Sequence, residues 1–465
     1  MNLKSVYFKY RYLFAGVFLI FLINCLFSIK TDLSKGFDNY WYWWVFSEKI
    51  TSDWKVNFNE LEIWRGYLFP LYCAILNKCR GGGYRYFILL NSIINAVMFM
   101  YIIPSLHNEK NDFSLKSTVL SFVTWLVVFL LFRGLFIYTL SDSYALYMCI
   151  LAMFFLLRYK QSGNLKKSAI FLFLSGAFAY FAYNIRSIYL FAGFFYLFLA
   201  VCFVFKKHSK IIMCILYVAV FLAGIFAASM PQAFLNYKQN GEKSMFVSTQ
   251  NLMLSQCLWG IKYQRYETYT GIWSENPEQS IPQMYFPDSV GTKLLEKEQI
   301  TGFGSWKDFI KFVYHYPLET AGIYVRHFVN CLFPCWPNTY VQKINNNKLF
   351  YACLSLLLVF TFCLSLFFRC IKKHRTFINW LPSMIPCLFI IPGAVESRFF
   401  LALFLLMSST IFFNIDFRKL FASVRANAVR VCIVFIFFSA LLISQWSIFL
   451  MSETEIPILM LGAKL

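Results

Sequence analysis

Apolar runs long enough to cross a bilayer recur along the whole of this 465-residue chain, and they leave few folds open. Each needs roughly 17 to 25 residues to cover about 30 Å of hydrocarbon. The first, Leu13 to Phe27, is followed at once by the polar, aromatic segment Thr31-Asp-Leu-Ser-Lys-Gly-Phe-Asp-Asn-Tyr-Trp-Tyr-Trp-Trp. Continuous apolarity, without the alternation of a barrel strand, predicts helices. The expected class is an all-α integral membrane protein of about eleven transmembrane helices, in keeping with 59% hydrophobic and only 14% charged residues.

The net charge of +21 argues for topology and not for nucleic acid, because the Lys and Arg residues cluster beside the apolar runs. Lys4, Lys9 and Arg11 hold the N-terminus in the cytoplasm, and the span at about 12 to 28 leads out into an outer loop over 29–85. The short apolar stretch Tyr67 to Leu76 in that loop reads as a helix lying in the interface. Further spans follow near 86–104, 117–138, 142–158, 168–184, 188–205 and 211–229, with basic turns at Lys110/Lys116, Arg158–Lys167 and Lys206–Lys210 on one face. Residues 230–348 read as a large outer loop with an interfacial helix near 317–333, and spans near 349–368 and 378–395, a tenth that returns to the cluster Arg418, Lys419, Arg425 and Arg430, and one near 431–450 complete the chain. This divides it into an N-terminal membrane module over 1–229, the loop 230–348 and C-terminal spans over 349–465. The first span lacks the small-residue site of a cleaved signal. Fourteen cysteines are scattered, mostly within apolar runs and without ligand-like spacing, and read as buried thiols, although Cys331 and Cys335 could pair if they face an oxidising compartment.

With the basic clusters on one side, the remaining ionisable residues gather on the other: Asp32, Asp38, Arg65, Asp142, Arg186, Arg326, His327, Glu396 and Arg398. A charge centred in hydrocarbon costs about 2.5–3.5 kcal/mol on insertion scales, so charges at span ends outside the topology signal ask for a function. Bland readings stand beside that one. Asp142, between two serines, fits an N-cap; Arg186 and Arg398 fit headgroup anchors; Trp41 to Trp44 fit an aromatic belt.

In the order of these elements the chain resembles the polytopic glycosyltransferases of the GT-C superfamily. Phe37-Asp38-Asn-Tyr40 follows the first span, and Trp64-Arg65-Gly-Tyr-Leu-Phe-Pro70 resembles the interfacial helix of their first loop. Leu140-Ser-Asp142-Ser-Tyr opens a later span as their acidic dipeptides do. Ala182-Tyr-Asn-Ile-Arg186-Ser and Glu396-Ser-Arg398-Phe-Phe-Leu look like their arginines near the donor phosphate. In size and style the bacterial serotype-converting and O-antigen-modifying members are the most similar. The resemblance implies transfer of a sugar from a polyprenyl-phosphate carrier to a cell-surface glycan, O-antigen, lipopolysaccharide or related, at the outer face of a bacterial inner membrane. Its partners would be that donor, a polysaccharide acceptor and membrane lipids.

The implied chemistry gives each residue a role. A carboxylate must receive the acceptor proton as the glycosidic bond breaks through an oxocarbenium-like state, and Asp38 is the first choice. Arginine forks stabilise the departing lipid phosphate: Arg186 and Arg398 first, Arg65 or Arg326 next. Asp142 orients an arginine or binds sugar hydroxyls, Glu396 accompanies Arg398, Tyr40 and the tryptophans beside it stack on sugar or isoprene, and His327 donates to phosphate. No cofactor is expected, since the sugar donor is itself a substrate, and with no Asp-x-Asp motif a lipid-linked donor is favoured over a nucleotide sugar. No P-loop occurs. A polysaccharide polymerase or ligase, and a flippase of lipid-linked sugars, remain as other readings; the last would place ionisable groups at mid-membrane and repeat one half in the other.

Overall fold

The computed structural model describes residues 3–31, 43–44, 47, 66–79, 83–107, 113–247, 252–269, 281–341, 348–372, 376–444 and 458–461. Asp38, Tyr40 and Arg65 lie outside them. The chain forms two compact units: Met1–Trp125, Phe136–Thr249 and His374–Pro386 make the first, and Leu126–Leu135, Gln250–Lys373 and Cys387–Leu465 the second.

The first unit is helical. Its elements are α1 (Leu3–Ile29), the short α2 (Leu68–Lys78), α3 (Gly83–His107, with a π-helical turn at Met98–Ile102), the first part of α4 (Leu115–Ile137), α5 (Ser141–Gln161), α6 (Leu165–Ile185), α7 (Leu190–Lys207) and α8 (Ile211–Asn240). Helix α8 runs past residue 229, where the sequence suggested the membrane segment would end, because Pro231 is tolerated inside it and Gly241 closes it in the left-handed region at φ 73°. Glycines set the spacing of α6 and α8. A Cβ at Gly176 would stand 2.1 Å from the Phe221 carbonyl oxygen, and one at Gly224 would stand 2.0 Å from that of Phe173. Only hydrogen at both positions lets the two backbones meet, the usual device where apolar side chains gain nothing by leaving lipid.

Polar groups inside this bundle are matched to one another. The Phe136 carbonyl, in the last turn of α4, accepts from Asn91 at 2.6 Å and from Asn24 and Asn95 at 3.4 Å. The Asn91 and Asn95 side-chain oxygens in turn accept from Tyr144 (3.0 Å) and Tyr147 (2.6 Å) on α5. A helix end buried in hydrocarbon leaves carbonyls without partners, and here asparagines on two other helices supply them. Trp43 and Trp44 are buried as well, Trp43 edge-on to Phe69 at 4.5 Å and Trp44 against Tyr84 at 4.3 Å, with the Trp44 indole donating to Thr139. These two rings are core, which corrects the expectation of a lipid-facing belt.

The second unit combines helices long and apolar enough to cross a membrane with a part built of shorter helices and strands. It holds helices α9 (Leu252–Lys262), α10 (Ser289–Lys297), α11 (Trp306–His315) and α12 (Pro317–Cys331) and strands β1 (Tyr263–Tyr269), β2 (Ile281–Pro287), β3 (Tyr340–Val341) and β4 (Ile458–Leu461), with α9 and α12 packed on β1. The strand order is β3-β1-β2-β4, with β1 antiparallel to β2, β2 antiparallel to β4 and β1 parallel to β3. Then come α13 (Lys348–Phe367), α14 (Thr376–Phe389, which begins in the first unit), α15 (Leu401–Asn414, entered through a 3-10 turn at Ser397–Phe400), α16 (Phe417–Ala426) and α17 (Ala428–Ser444). Helix α4 is kinked at Phe132 (φ −134°, ψ 34°). Two residues on, a Cβ at Gly134 would lie 2.4 Å from the Thr339 nitrogen, so the 337–339 loop crosses the helix where it has no side chain.

The chain is a predominantly helical, multi-pass membrane protein. Among the described residues nine helices are long and apolar enough to cross a membrane, or ten if the bent pair α16–α17 supplies one span. The count of eleven is not reached because α14, which carries Pro382 and Pro386 inside it, covers only 14 residues.

Candidate functional site

Each unit carries an arginine–carboxylate pair at the head of an apolar helix. In the first, Leu140 is extended (φ −111°, ψ 138°) and takes the N-cap position, and Ser141 begins α5, so Asp142 sits inside the first turn. That corrects the N-cap reading, although a carboxylate there still complements the helix dipole. Its Oδ1 receives Nη1 of Arg186. Arg186 ends α6 in an extended conformation (φ −141°, ψ 116°) before the 3-10 turn Ser187–Tyr189, so the break between two spans is what turns its side chain toward α5. The Asp142 side chain is 8% exposed and that of Arg186 18%.

A chain of amides supports this break. Asn184 accepts from the Leu68 backbone NH at 2.9 Å and donates to Gln232 at 2.9 Å; Gln232 donates to Asn236 at 3.0 Å, and Asn236 donates to the carbonyls of Ser244 and Phe246. Tyr67 donates through its hydroxyl to Ala228 O. A Cβ at Gly66 would collide with the Asn184 carbonyl oxygen at 1.8 Å. The start of α2, the α6 break and the end of α8 are thereby held together.

In the second unit, residues 390–396 form a turn fixed from three sides. Ala394 NH donates to Gln256 O (2.9 Å), Tyr266 NH to Val395 O (3.1 Å), and the His327 ring reaches Ile391 O. Glu396 is fully buried, and its Oε1 accepts from Arg398 Nη2 at 2.7 Å while Arg398 Nε lies 2.7 Å from Oε2. Between them Ser397 donates to Glu267 at 3.2 Å. That carboxylate also accepts from Nε (2.9 Å) and Nη2 (2.7 Å) of Arg265, whose Nη1 donates to the carbonyls of Asn330 and Phe333. Arg265 is 1% exposed. Burial alone draws its guanidinium down, but Cys335 and Glu267 beside it more than offset that, and the net shift is upward.

The neighbouring thiols are free and inert. Cys331 donates to Glu396 O and Cys335 to Phe333 O, and burial pushes both above their ordinary values. Each sulfur has its own carbonyl, and no disulfide joins them, so the pairing open to them in an oxidising compartment is not made.

Two further candidates have other employment. Arg326 binds Asp288 through Nε (2.6 Å) and Nη2 (2.9 Å), and Asp288 caps α10 by accepting from Val290 and Gly291 NH. His327 is fully buried, with Nδ1 2.6 Å from Ile391 O and Nε2 3.1 Å from Tyr263 O, so the ring braces backbone and presents no edge to a phosphate. Burial lowers its affinity for a proton, only partly offset by those carbonyls and by Asp288.

The chain matches no family model, no curated protein and no solved structure.

The geometry nevertheless fixes what each pair can do. An arginine already oriented by a carboxylate offers a planar fork with less side-chain entropy left to lose on meeting an anion. Sequence reasoning passed over Asn184, Gln232, Asn236, Glu267 and Ser397. Asn184 and Ser397 stand inside the two motifs it quoted, and their signal was adjacency to Arg186 and Arg398; Glu267 and the α8 amides had none, since only packing brings them near.

Proposed function

We propose that this protein is a membrane glycosyltransferase of GT-C type, which moves a sugar from a polyprenyl-phosphate donor to a cell-surface glycan at the outer face of a bacterial cytoplasmic membrane. One observation carries the reading: in each unit an arginine held by a carboxylate stands at the head of an apolar span. Such a span end lies at the depth of a lipid phosphate, and the low dielectric there strengthens a charge-assisted contact well beyond its value in water. Arg398 is assigned to the phosphate of the leaving lipid, with Arg186 the second candidate for that role. Asp38 is assigned as the base that receives the acceptor proton, on the strength of its place after the first span. Asp142 and Glu396 then keep the forks in register.

The test is linkage and mass analysis of surface polysaccharide from cells carrying wild-type protein, Asp38→Asn, Arg398→Gln, or no protein, at matched membrane levels. A sugar added by wild type and missing in both variants supports the assignment. Identical polysaccharide in all four strains overturns it, and a change confined to chain length moves the reading to a polymerase.

A further inference from the structure

Helix α16 has the sequence Phe-Arg-Lys-Leu-Phe-Ala-Ser-Val-Arg-Ala. At about 100° per residue, Leu420, Val424, Phe417 and Phe421 share one arc, Arg425 and Arg418 follow directly beside Phe421, and Lys419 falls on the far side. Leu420 is buried against the protein, whereas Phe417 is 39% and Phe421 69% exposed, and all three cations are exposed. Two phenylalanines bordered by two arginines match a bilayer interface, where rings enter the acyl region and guanidinium groups stop at phosphate depth.

The surroundings agree. Helix α16 stands at 99° to the apolar helix that follows, so with that helix along the membrane normal α16 lies in the membrane plane. It is pinned to the end of α13: Ile371 pairs with Ile415, Lys372 NH donates to Asn414 O, Asp416 NH to Cys370 O, and Lys419 Nζ to Arg369 O. Arg369, Lys372, Arg418, Lys419, Arg425 and Arg430 are therefore exposed around one end of the unit, and Asp416 is the one acidic residue in 369–372 and 414–430.

We propose that α16, with the basic rim supplied by α13 and the start of α17, is a docking surface for anionic phospholipid headgroups of the leaflet on that side. It uses neither arginine–carboxylate pair and holds whether or not the transferase reading does. Charge complementarity selects anionic over zwitterionic lipid, and the exposed phenylalanines select a bilayer over a soluble phosphate.

The experiment uses the full chain in mild detergent, with native mass spectrometry counting retained phosphatidylglycerol or phosphatidylcholine. Wild type is expected to retain phosphatidylglycerol about tenfold over phosphatidylcholine, and the R418Q/R425Q variant to lose that preference by about tenfold. The K307Q/K311Q variant, on α11 and outside this rim, should behave as wild type. A second pair, K372Q/R430Q, keeps the test decisive should the first variant unfold. Equal retention of both lipids by wild type, or an unchanged preference in a folded rim variant, overturns the proposal. So does displacement of phosphatidylglycerol by an equal concentration of glycerol phosphate, which would assign the cations to a free phosphate.

Discussion

The two arginine–carboxylate pairs differ in how the chain makes them. Asp142 and Arg186 are 44 residues apart and meet because α5 packs on α6, while Glu396 and Arg398 are two residues apart and meet because the chain turns between them. The first pair keeps some contact with its surroundings, its arginine side chain 18% exposed. The second has a fully buried carboxylate and leans, through Ser397, on a further pair, Arg265–Glu267, that is buried as well. A pair made by helix packing reports that packing and is softened where it is exposed. A pair walled in by protein gains from low dielectric but becomes costly once one member is removed.

The largest effect is expected at Glu267. Glu267→Ala leaves the Arg265 charge buried without its carboxylate, and an apparent stability loss of about 3–5 kcal/mol is expected, read as the melting of the full chain in detergent. Arg265→Met with Glu267→Leu should recover much of that loss, because two apolar residues replace two charges together. If Glu267→Ala melts no lower than Asp142→Ala, the contrast between buried and partly exposed pairs is wrong.

Smaller effects sharpen the other side. In the cycle of Asp142→Ala, Arg186→Ala and the double variant, a coupling of about 0.5–3 kcal/mol is expected, and additivity would mean that solvent already screens the pair. Asn184→Ala removes the acceptor for Leu68 NH and a donor to Gln232, and should lower stability by about 1–3 kcal/mol without touching either charge. An Asn184→Ala protein as stable as wild type would remove the amide chain as the support of the α6 break.

What could be read from the sequence follows the range of the interactions. Spans such as Leu115–Ile137 and Ser141–Gln161 announce themselves by composition, and so does the short α2 that follows Gly66. Local pairs such as Glu396–Arg398 also show in a single line of text. The mate of Asp142 did not, nor did the bond from Ser397 to Glu267 across 130 residues. Trp43 and Trp44 misled for the same reason: interfacial tryptophan and core tryptophan have the same composition, and only Phe69 and Tyr84 folded against them tell the two apart. The expected span at α14 came out as a helix of 14 residues, because that apolar stretch holds two prolines whose effect on helix length depends on what packs around them. His327 was open to a role as phosphate donor because nothing nearby in sequence names the carbonyls of Ile391 and Tyr263, each 64 residues away.

The smallest expected effect lies in that ring, beside the buried turn that carries Glu396. Burial holds the folded imidazole below its ordinary value, so in acid the unfolded chain takes up a proton first, at the usual histidine value of about 6.5. The stability His327 contributes is therefore complete above that pH and falls as pH drops from there toward the folded value, by at most about 1.4 kcal/mol per pH unit. Measured as the difference in apparent melting between wild type and His327→Gln, which cancels the other titrating groups, the advantage of histidine should shrink between pH 7.5 and 5.5. The geometry supplies the opposite outcome as well. Both ring nitrogens face carbonyl oxygens, at 2.6 and 3.1 Å, and a doubly protonated ring would satisfy both. An advantage that grows on acidification would mean that these two bonds outweigh burial, and the turn before Arg398 would then be clasped by an imidazolium.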